Sequence, residues 1–347
     1  MRGFHGPPDG PCLCQRRRVM ASTDEKRRLQ GLVFDDPVEL SAPDIAAYAA
    51  GNTGIPYYWT FEAAAPGPHV AILALTHGNE ICGALTLDAF FRADLRPTRG
   101  RLTLGFNNVA AYAQFDPRYP IASRFVDEDL NRVWSLDRLE GSENSLELTR
   151  AREIRPYIDS VDLLLDLHSM QTPSPPLMLA GPLDKGRHLA QRIGVPRHIM
   201  CDQGHAAGKR LRDYGGFGDA AAPQNAVLLE AGQHWAAATG AVSTDTAVHF
   251  LRACEMIAPA AYDYFAPTPA SAAQDVIVIE QAVTVEHEDF HFHRRYQGLE
   301  VIAEAGTEIA VDGGRPVVTP FDNCVLVMPN QRLWPGQTAV RLGRIIS

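Results

Sequence analysis

The 347-residue chain has no apolar run approaching the roughly 20 residues a membrane-spanning helix needs. A bilayer is therefore not expected as its solvent. Cysteine is scarce: six residues, of which only Cys12 and Cys14 are close in sequence. Cys82, Cys201, Cys254 and Cys324 show no paired spacing, which gives a disulfide framework or a zinc finger little support and favours buried free thiols. Positive charge is in deficit, with 32 Lys and Arg against 41 Asp and Glu and a net charge of −9. That balance argues against nucleic acid or an anionic membrane as partner, though not against a small anion in a local basic pocket. Internal repeats are absent. Residues 1–20 contain Arg16-Arg17-Arg18 with no apolar stretch behind them, so they do not form a signal peptide. Residues 1–29 are expected to be a disordered extension. Met20 opens a more ordinary N-terminus, so residues 1–19 read as a mis-assigned start. The default compartment is the cytoplasm.

What the chain does have is ordinary globular composition, 46% hydrophobic and 21% charged. Its length exceeds what one core usually supports, so two domains are expected. Val70–Leu75 is a continuous apolar run and reads as a strand buried on both faces. Asn79–Leu95 then shows helical spacing, and Leu102–Phe106 reads as a further strand. Ser145–Ile154 reads as a helix stopped by Pro156. Val161–Leu167, Leu177–Leu179 and Ala226–Leu229 read as strands, and Leu183–Ile193 and Thr244–Ala258 as helices. This alternation predicts an α/β fold with a mostly parallel sheet over residues 30–265. Residues 266–274, A-P-T-P-A-S-A-A-Q, read as a linker. Residues 275–347 carry short β-patterned runs separated by Gly313-Gly314 and Pro335-Gly336, and read as a small C-terminal β domain.

Four segments carry chemistry. Thr76-His77-Gly78-Asn79-Glu80 follows a buried strand and opens a helix, so His77 and Glu80 can face one ion. Asp166-Leu167-His168-Ser169 also lies where an apolar strand ends, and such ends line the ligand crevice of α/β sheets. Two imidazoles and a carboxylate with a fourth position open to water make a catalytic zinc set. Against this stands a pair of hydrogen-bonded core histidines with a helix N-terminal Glu. The loop Arg124–Arg132, R-F-V-D-E-D-L-N-R, is dense in groups that recognise a carboxylate, or else pairs internally as a solvated loop. Leu228-Leu229-Glu230-Ala231-Gly232 places one carboxylate at an apolar strand end, where it suits a general base taking a proton from zinc-bound water.

Taken in order, H-G-N-E, R-x-x-D-x-D-L-N-R, D-L-H-S and E-x-G resemble the succinylglutamate desuccinylase/aspartoacylase family of the zinc carboxypeptidase-like superfamily. The resemblance spans about residues 65–235. It implies a zinc-carboxypeptidase-like mixed sheet flanked by helices, with one zinc ion per chain held by His77, Glu80 and His168. Glu230 would be the general base and then the acid for the departing amine. Arg124 would polarise the scissile carbonyl, Asn131 and Arg132 would grip a carboxylate, and Asp166 could orient a ligand from behind. The implied activity is hydrolysis of a carbon–nitrogen amide bond in an N-acyl amino acid or related small acylated amine. A peptide-cleaving carboxypeptidase and a non-catalytic metal-dependent binder are the rival readings, and a homo-oligomer is compatible with the sequence. One departure stands out. Relatives of the aspartoacylase type carry an arginine shortly before the catalytic Glu, whereas residues 220–225 here are A-A-A-P-Q-N. Arg210 and Arg212 lie farther back. Tyr296, the single tyrosine after residue 275, carries no mark of a site residue. His205 and His234 flank the expected site, and His291 and His293 alternate on a short run.

Overall fold

The computed structural model describes residues 28, 36–205, 207–270 and 273–346. Most of the expected N-terminal extension, with Cys12 and Cys14, lies outside them. The strands in chain order are β1 Tyr58–Glu62, β2 His69–Ala74, β3 Arg101–Phe106, β4 Leu163–Met170, β5 Leu177–Leu179, β6 His198–Cys201, β7 Asn225–Gln233, β8 Asp275–Thr284, β9 His291–Phe292, β10 Glu300–Ile302, β11 Glu308–Asp312, β12 Arg315–Val318, β13 Cys324–Val327 and β14 Thr338–Ile345. The larger helices are α1 Ile81–Arg92, α2 Leu146–Ile158, α3 Asp184–Ile193 and α4 Ala237–Ala253.

Eleven strands form one sheet in the order β1-β3-β2-β4-β7-β5-β6-β8-β14-β13-β10. Pairing is parallel from β3 through β2 and β4 to β7, and again from β5 through β6 to β8. This is the mixed, mostly parallel α/β architecture anticipated for the chemistry-bearing part of the chain. The reason is visible in β2 and β7, every residue of which is buried. A strand covered on both faces needs an unbroken apolar run. α1, α3 and α4 share a core with one face of the sheet, through Leu87, Leu189 and Phe250 among others. α2 covers the opposite face with Leu148, Ala151 and Ile154.

The strands after residue 275 do two things. β8, β14, β13 and β10 extend the main sheet with antiparallel pairing beyond β8, while β12, β11 and β9 form a separate three-stranded sheet. Gly313 (φ 56°) and Gly314 (φ 73°) turn β11 into β12, as the Gly-Gly pair predicts. Val283, Ile309 and Leu342 belong to a core of their own.

Two helices end elsewhere than expected. α2 runs through Pro156 to Ile158, because Ile158 is buried in the core under the sheet and only one helical N–H is lost in the last turn. α4 begins at Ala237 rather than Thr244 and ends at Ala253, where Glu255 (φ 57°) breaks the spiral. Its opening A-A-T-G-A offers no large apolar residue from which a period can be read. Among the described residues no helix is long and apolar enough to cross a membrane.

Candidate metal centre and substrate pocket

β2, β4 and β7 lie side by side at the middle of the sheet, and the expected site residues cluster at their carboxyl ends. The chain leaves β2 through Leu75 in the left-handed region (φ 59°), a strained conformation for a branched side chain. The tight turn that follows delivers Thr76 and His77. Gly78 then passes so close to other backbone that a Cβ would sit 2.4 Å from Tyr112 N and 2.5 Å from Ser123 O. Any larger residue would push His77 and Glu80 apart from the loop that carries Arg124. Glu80 immediately precedes α1. His168 lies within β4, in parallel register with Glu230 of β7, so the two side chains emerge side by side. Gly232 follows at φ 124°, a backbone angle that a side chain would strain, at the irregularity where β7 fits an extra residue between its pairings with His168 and Met170.

The three expected ligands are buried together. His77, Glu80 and His168 each offer a donor atom within 4.8 Å of the others. His77 Nδ1 is 2.7 Å from Glu80 Oε1, and His168 Nδ1 is 2.8 Å from Glu80 Oε2. Each ring is held from its other nitrogen by a carboxylate. Asp129 Oδ1 lies 2.9 Å from His77 Nε2, and Asp166 Oδ2 lies 2.9 Å from His168 Nε2. Asp166 is itself fixed, accepting from Thr76 Oγ1 at 3.0 Å, and Thr76 accepts from Asn107 Nδ2 at 2.9 Å. A carboxylate behind each imidazole selects the tautomer that frees Nδ1. Burial opposes the charge of Glu80, yet the facing imidazoles hold its pKa well below the usual carboxylate range. Burial opposes protonation of His168 too, but Asp166 and Glu80 hold its pKa well above the usual value.

Arg124 spans the cluster. Its Nη2 donates to Asp129 Oδ2 at 2.9 Å, and its Nη1 lies 3.3 Å from Glu80 Oε1. The loop carrying it is built around Glu147, which is fully buried. That carboxylate accepts from the backbone N–H groups of Val126, Asp127 and Glu128 and from Asn108 Nδ2. Asn131 uses its Oδ1 on Leu211 N at 2.9 Å, so its amide nitrogen is the group left to offer the pocket. Arg132 Nη1 donates to Asn131 O at 2.7 Å, and burial with the charges of Arg124, Arg210 and Arg341 brings its pKa down to about 10.

Glu230 has a different environment. It is 7% exposed, and its Oε2 is buried with no hydrogen-bond partner. Burial, followed by the charge of Glu80, pushes its pKa up to about 8, against the pull of His168, Arg124 and Arg341. An unpaired buried carboxylate oxygen costs about 1–3 kcal/mol or more, and a fold carries that cost where function needs it. The residues present fit a divalent cation. The carboxylates of Glu80, Asp129 and Asp166 surround two imidazoles and the guanidinium of Arg124, an excess of buried negative charge that a dication would offset. The donor chemistry, two imidazole nitrogens and a carboxylate, is that of a catalytic zinc site. Removing the support should show its role: Asp166→Asn is expected to weaken metal affinity about 10- to 100-fold with the fold intact, measured by competition with a chromogenic chelator. Unchanged affinity would remove Asp166 from the centre.

Several residues were missed or left open by sequence reasoning. Asp129 stood within the R-x-x-D-x-D-L-N-R motif without a role of its own, because its partner is His77, far away in the chain. Asn79, inside H-G-N-E, is fully buried, lines the pocket and has neither side-chain polar atom hydrogen-bonded. His234 lines the pocket too; its Nδ1 lies 2.8 Å from Ser169 Oγ, and burial pushes its pKa down to about 3. His205 is a further lining residue whose burial pushes its pKa far below the usual value. Arg210 forms a two-pronged pair with Asp202 at 2.9 and 2.7 Å and a further bond to Asp213. Arg212 serves Asp213 and the carbonyls of Ala180 and Ala226. Both are committed to the scaffold. Tyr296 packs in the C-terminal core beside Phe292 and does not line the pocket. His293 pairs with Glu308 on an exposed edge. The C-terminal strands and their loops close the pocket instead with Met328, Pro329, Asn330, Arg332, Thr338 and Arg341. No sequence pattern near the four motifs announces them.

Residues 66–260, more than half of the chain, match the model of the succinylglutamate desuccinylase/aspartoacylase catalytic domain. No curated protein matches the chain. The fold is similar to that of succinylglutamate desuccinylase from Vibrio parahaemolyticus, at TM-score 0.62 and 17% identity over 84% of this chain and 87% of that one. It is also similar to a succinylglutamate desuccinylase/aspartoacylase from Rhodobacter sphaeroides, at TM-score 0.61 and 13% identity over 91% and 98% of the two chains. The product-bound ectoine utilization protein from Ruegeria pomeroyi aligns at TM-score 0.58 and 14% identity over 90% and 97%. At such identities the structural likeness speaks for the fold, while the domain match carries the kinship: the chain belongs to the succinylglutamate desuccinylase/aspartoacylase family, whose members are deacylases that act on amide bonds.

Proposed function

We propose that the protein is a zinc-dependent amide hydrolase that removes the acyl group from an N-acyl amino acid. The observation that carries this reading is the unpaired, buried Glu230 carboxylate standing in register beside His168 of the metal-competent cluster. A site that only bound metal would gain nothing from such a group. His77, Glu80 and His168 would hold the ion, which when bound supplies a Lewis acid able to bring the pKa of water toward about 7.

The chain's own residues do the rest. Glu230 accepts a proton from water as the water oxygen adds to the carbonyl carbon, then returns it to the amine nitrogen as the C–N bond breaks. A carboxyl in a dry site with a raised pKa suits both halves of that transfer. Arg124, steadied by Asp129, donates to the carbonyl oxygen as charge develops on it, an interaction of about 3 kcal/mol where such donors have been removed in other enzymes. The amide of Asn131 and the guanidinium of Arg132 take the carboxylate of the amino-acid portion. Residues 30–265 form the catalytic unit in this reading and residues 275–347 the unit that narrows access. Thr172 Oγ1, donating to Pro329 O at 2.8 Å, ties the C-terminal loop down over the pocket. A narrowed pocket favours a small acylated amino acid over a peptide.

The test is direct. Purified protein is assayed against N-acetyl and N-succinyl amino acids and dipeptides, with and without chelator. Hydrolysis of N-acyl amino acids is expected to vanish with chelator and return with zinc, while dipeptides stay intact. Chelator-insensitive turnover, or cleavage of dipeptides alone, would overturn the reading.

A further inference from the structure

The turn between His77 and Glu80 carries a third polar side chain. Asn79 is fully buried and lines the pocket, and neither its Oδ1 nor its Nδ2 has a hydrogen-bond partner. The main chain here is pinned from two sides. Trp235 Nε1 donates to Asn79 O at 3.1 Å, and the neighbouring Gly78 N donates to Arg124 O at 3.1 Å. Trp235 is itself fully buried and packs with Ile81, Ile121 and Phe125. The turn is therefore fixed, and with it the place of the carboxamide. A buried carboxamide with both polar atoms unpaired is costly to a fold, and an apolar residue of the same shape would be more stable there.

The pocket is rich in donors, Arg124, Asn131, Arg132 and Arg341 among them, and poor in free acceptors. Both oxygens of Glu80 face the two imidazoles, and Asn131 Oδ1 accepts from Leu211 N. Asn330 Oδ1 accepts from Arg332 N, and Ser169 Oγ is bonded to His234 Nδ1. Glu230 is committed to proton transfer. Asn79 Oδ1 and Gln171 Oε1 remain, both buried and unpaired. Gln171 is half-buried just past the end of β4, whereas Asn79 stands between two members of the cluster. An N-acyl amino acid brings a carbonyl oxygen, a carboxylate and one N–H. The carbonyl oxygen goes to Arg124, and the carboxylate to Asn131 and Arg132. The N–H of the scissile amide is the group still without a partner, and it needs an acceptor.

We propose that Asn79 contacts the substrate and that its Oδ1 accepts the N–H of the scissile amide. This rests on the deacylase reading and deepens it. On binding, the contact replaces the water that the N–H gives up in a dry pocket. During cleavage the nitrogen changes from planar to pyramidal. A hydrogen held by Asn79 leaves the other side of the nitrogen, where its lone pair forms, open to the proton from Glu230. The unpaired Nδ2 fits the same ligand. An N-acyl amino acid presents its N–H and a carboxylate oxygen on either side of Cα, a donor and an acceptor within reach of one carboxamide.

The test uses full-length, zinc-loaded wild type, Asn79→Leu and Gln171→Leu. Each is assayed on the N-acyl amino acid that wild type cleaves fastest and on its ester analogue, in which oxygen replaces the N–H. For N-acetyl-alanine that analogue is O-acetyl-lactate. Metal content and Tm are measured alongside. In Asn79→Leu, kcat/KM is expected to fall about 10- to 100-fold further on the amide than on the ester, the scale of a donor left unpaired in a dry pocket. Metal stoichiometry should be unchanged and Tm equal or higher, because leucine keeps the branched shape and removes two unpaired polar atoms. A role in the scaffold alone predicts a lower Tm and equal falls on both substrates, and that result overturns the proposal. No fall on either substrate, or the amide-selective loss in Gln171→Leu instead, overturns it as well. If the Leu variant does not fold or does not hold metal, Asn79→Ala decides: a several-fold loss selective for the amide is expected, and its absence overturns the proposal. If wild type cleaves no N-acyl amino acid, the deacylase reading fails. Asn79 as an N–H acceptor then stands only on calorimetry, if N-acetyl-alanine binds at least about tenfold more tightly than O-acetyl-lactate and Asn79→Leu abolishes that advantage.

Discussion

Glu230→Ala is expected to bind metal with wild-type stoichiometry and to lose kcat by on the order of 10²–10⁴-fold, the usual contribution of a positioned acid–base group. The two halves of this result come from different features of the structure. Metal is retained because Glu230 is not one of the three donors His77, Glu80 and His168, and stands beside His168 across the β4–β7 ladder. Turnover is lost because, among the described residues, no other carboxylate near the cluster is without a partner. Asp129 is engaged by His77 and Arg124, and Asp166 by His168 and Thr76. The substitution should also stabilise the fold slightly or leave it unchanged, since it removes a buried carboxylate oxygen that has no partner. Metal analysis, steady-state kinetics and a melting curve on one preparation check all three outcomes. Near-wild-type turnover would remove Glu230 from the proton-transfer role.

Much of this architecture is legible in the sequence for a simple reason. A strand buried on both faces must be apolar throughout, so β2, β4 and β7 stand out, and residues at their ends fall into the crevice of the sheet. His77, Glu80, His168 and Glu230 are therefore visible before any coordinates. The loop of Arg124 is visible too, because charge at that density between two elements calls for an explanation. What stays hidden depends on contacts between distant segments. Asp129 sits in plain view, but that it holds the ring of His77 requires the loop to fold back over β2. The pairing of Glu147 with three backbone N–H groups is similarly silent, as the residue reads as one more charge on an amphipathic helix. Arg341 is the strongest case. Its place in the pocket follows from β14 pairing with β8, which extends the same sheet that carries the His77, Glu80 and His168 cluster. A short β-patterned tail after a linker gives no hint of that continuity. The missing arginine before Glu230 is readable only as an absence.

His168→Ala should do what Glu230→Ala does not, and remove metal and activity together. The expected loss of metal affinity exceeds the roughly 10- to 100-fold cost of losing a supporting residue, because a donor atom itself disappears. His77→Ala should behave in the same way, and the pair distinguishes a shared centre from two separate roles. The consequences for the protein without metal also differ from those of an ordinary surface change. Glu80 is 2% exposed, and His168 is one of the two imidazoles that offset its charge. Without His168, Glu80 keeps His77, Arg124 and the N–H of Ser169, which donates at 3.2 Å. Its pKa should therefore rise from its depressed value. A depressed folded-state pKa contributes stability above the unfolded value that is lost as pH falls through the folded one. With the depression reduced, and with the stabilising protonation of His168 itself gone, His168→Ala should be less stable than wild type at neutral and mildly acidic pH, and the gap should narrow only below the usual carboxylate range, where Glu80 protonates in both. Melting curves of the two proteins in chelator, at neutral pH and at a pH below the usual carboxylate range, read this out without any contribution from the ion. Stoichiometric metal in His168→Ala, or full activity, would dissolve the proposed centre. A pH-independent gap in Tm would show that the imidazole packs beside Glu80 without carrying its charge.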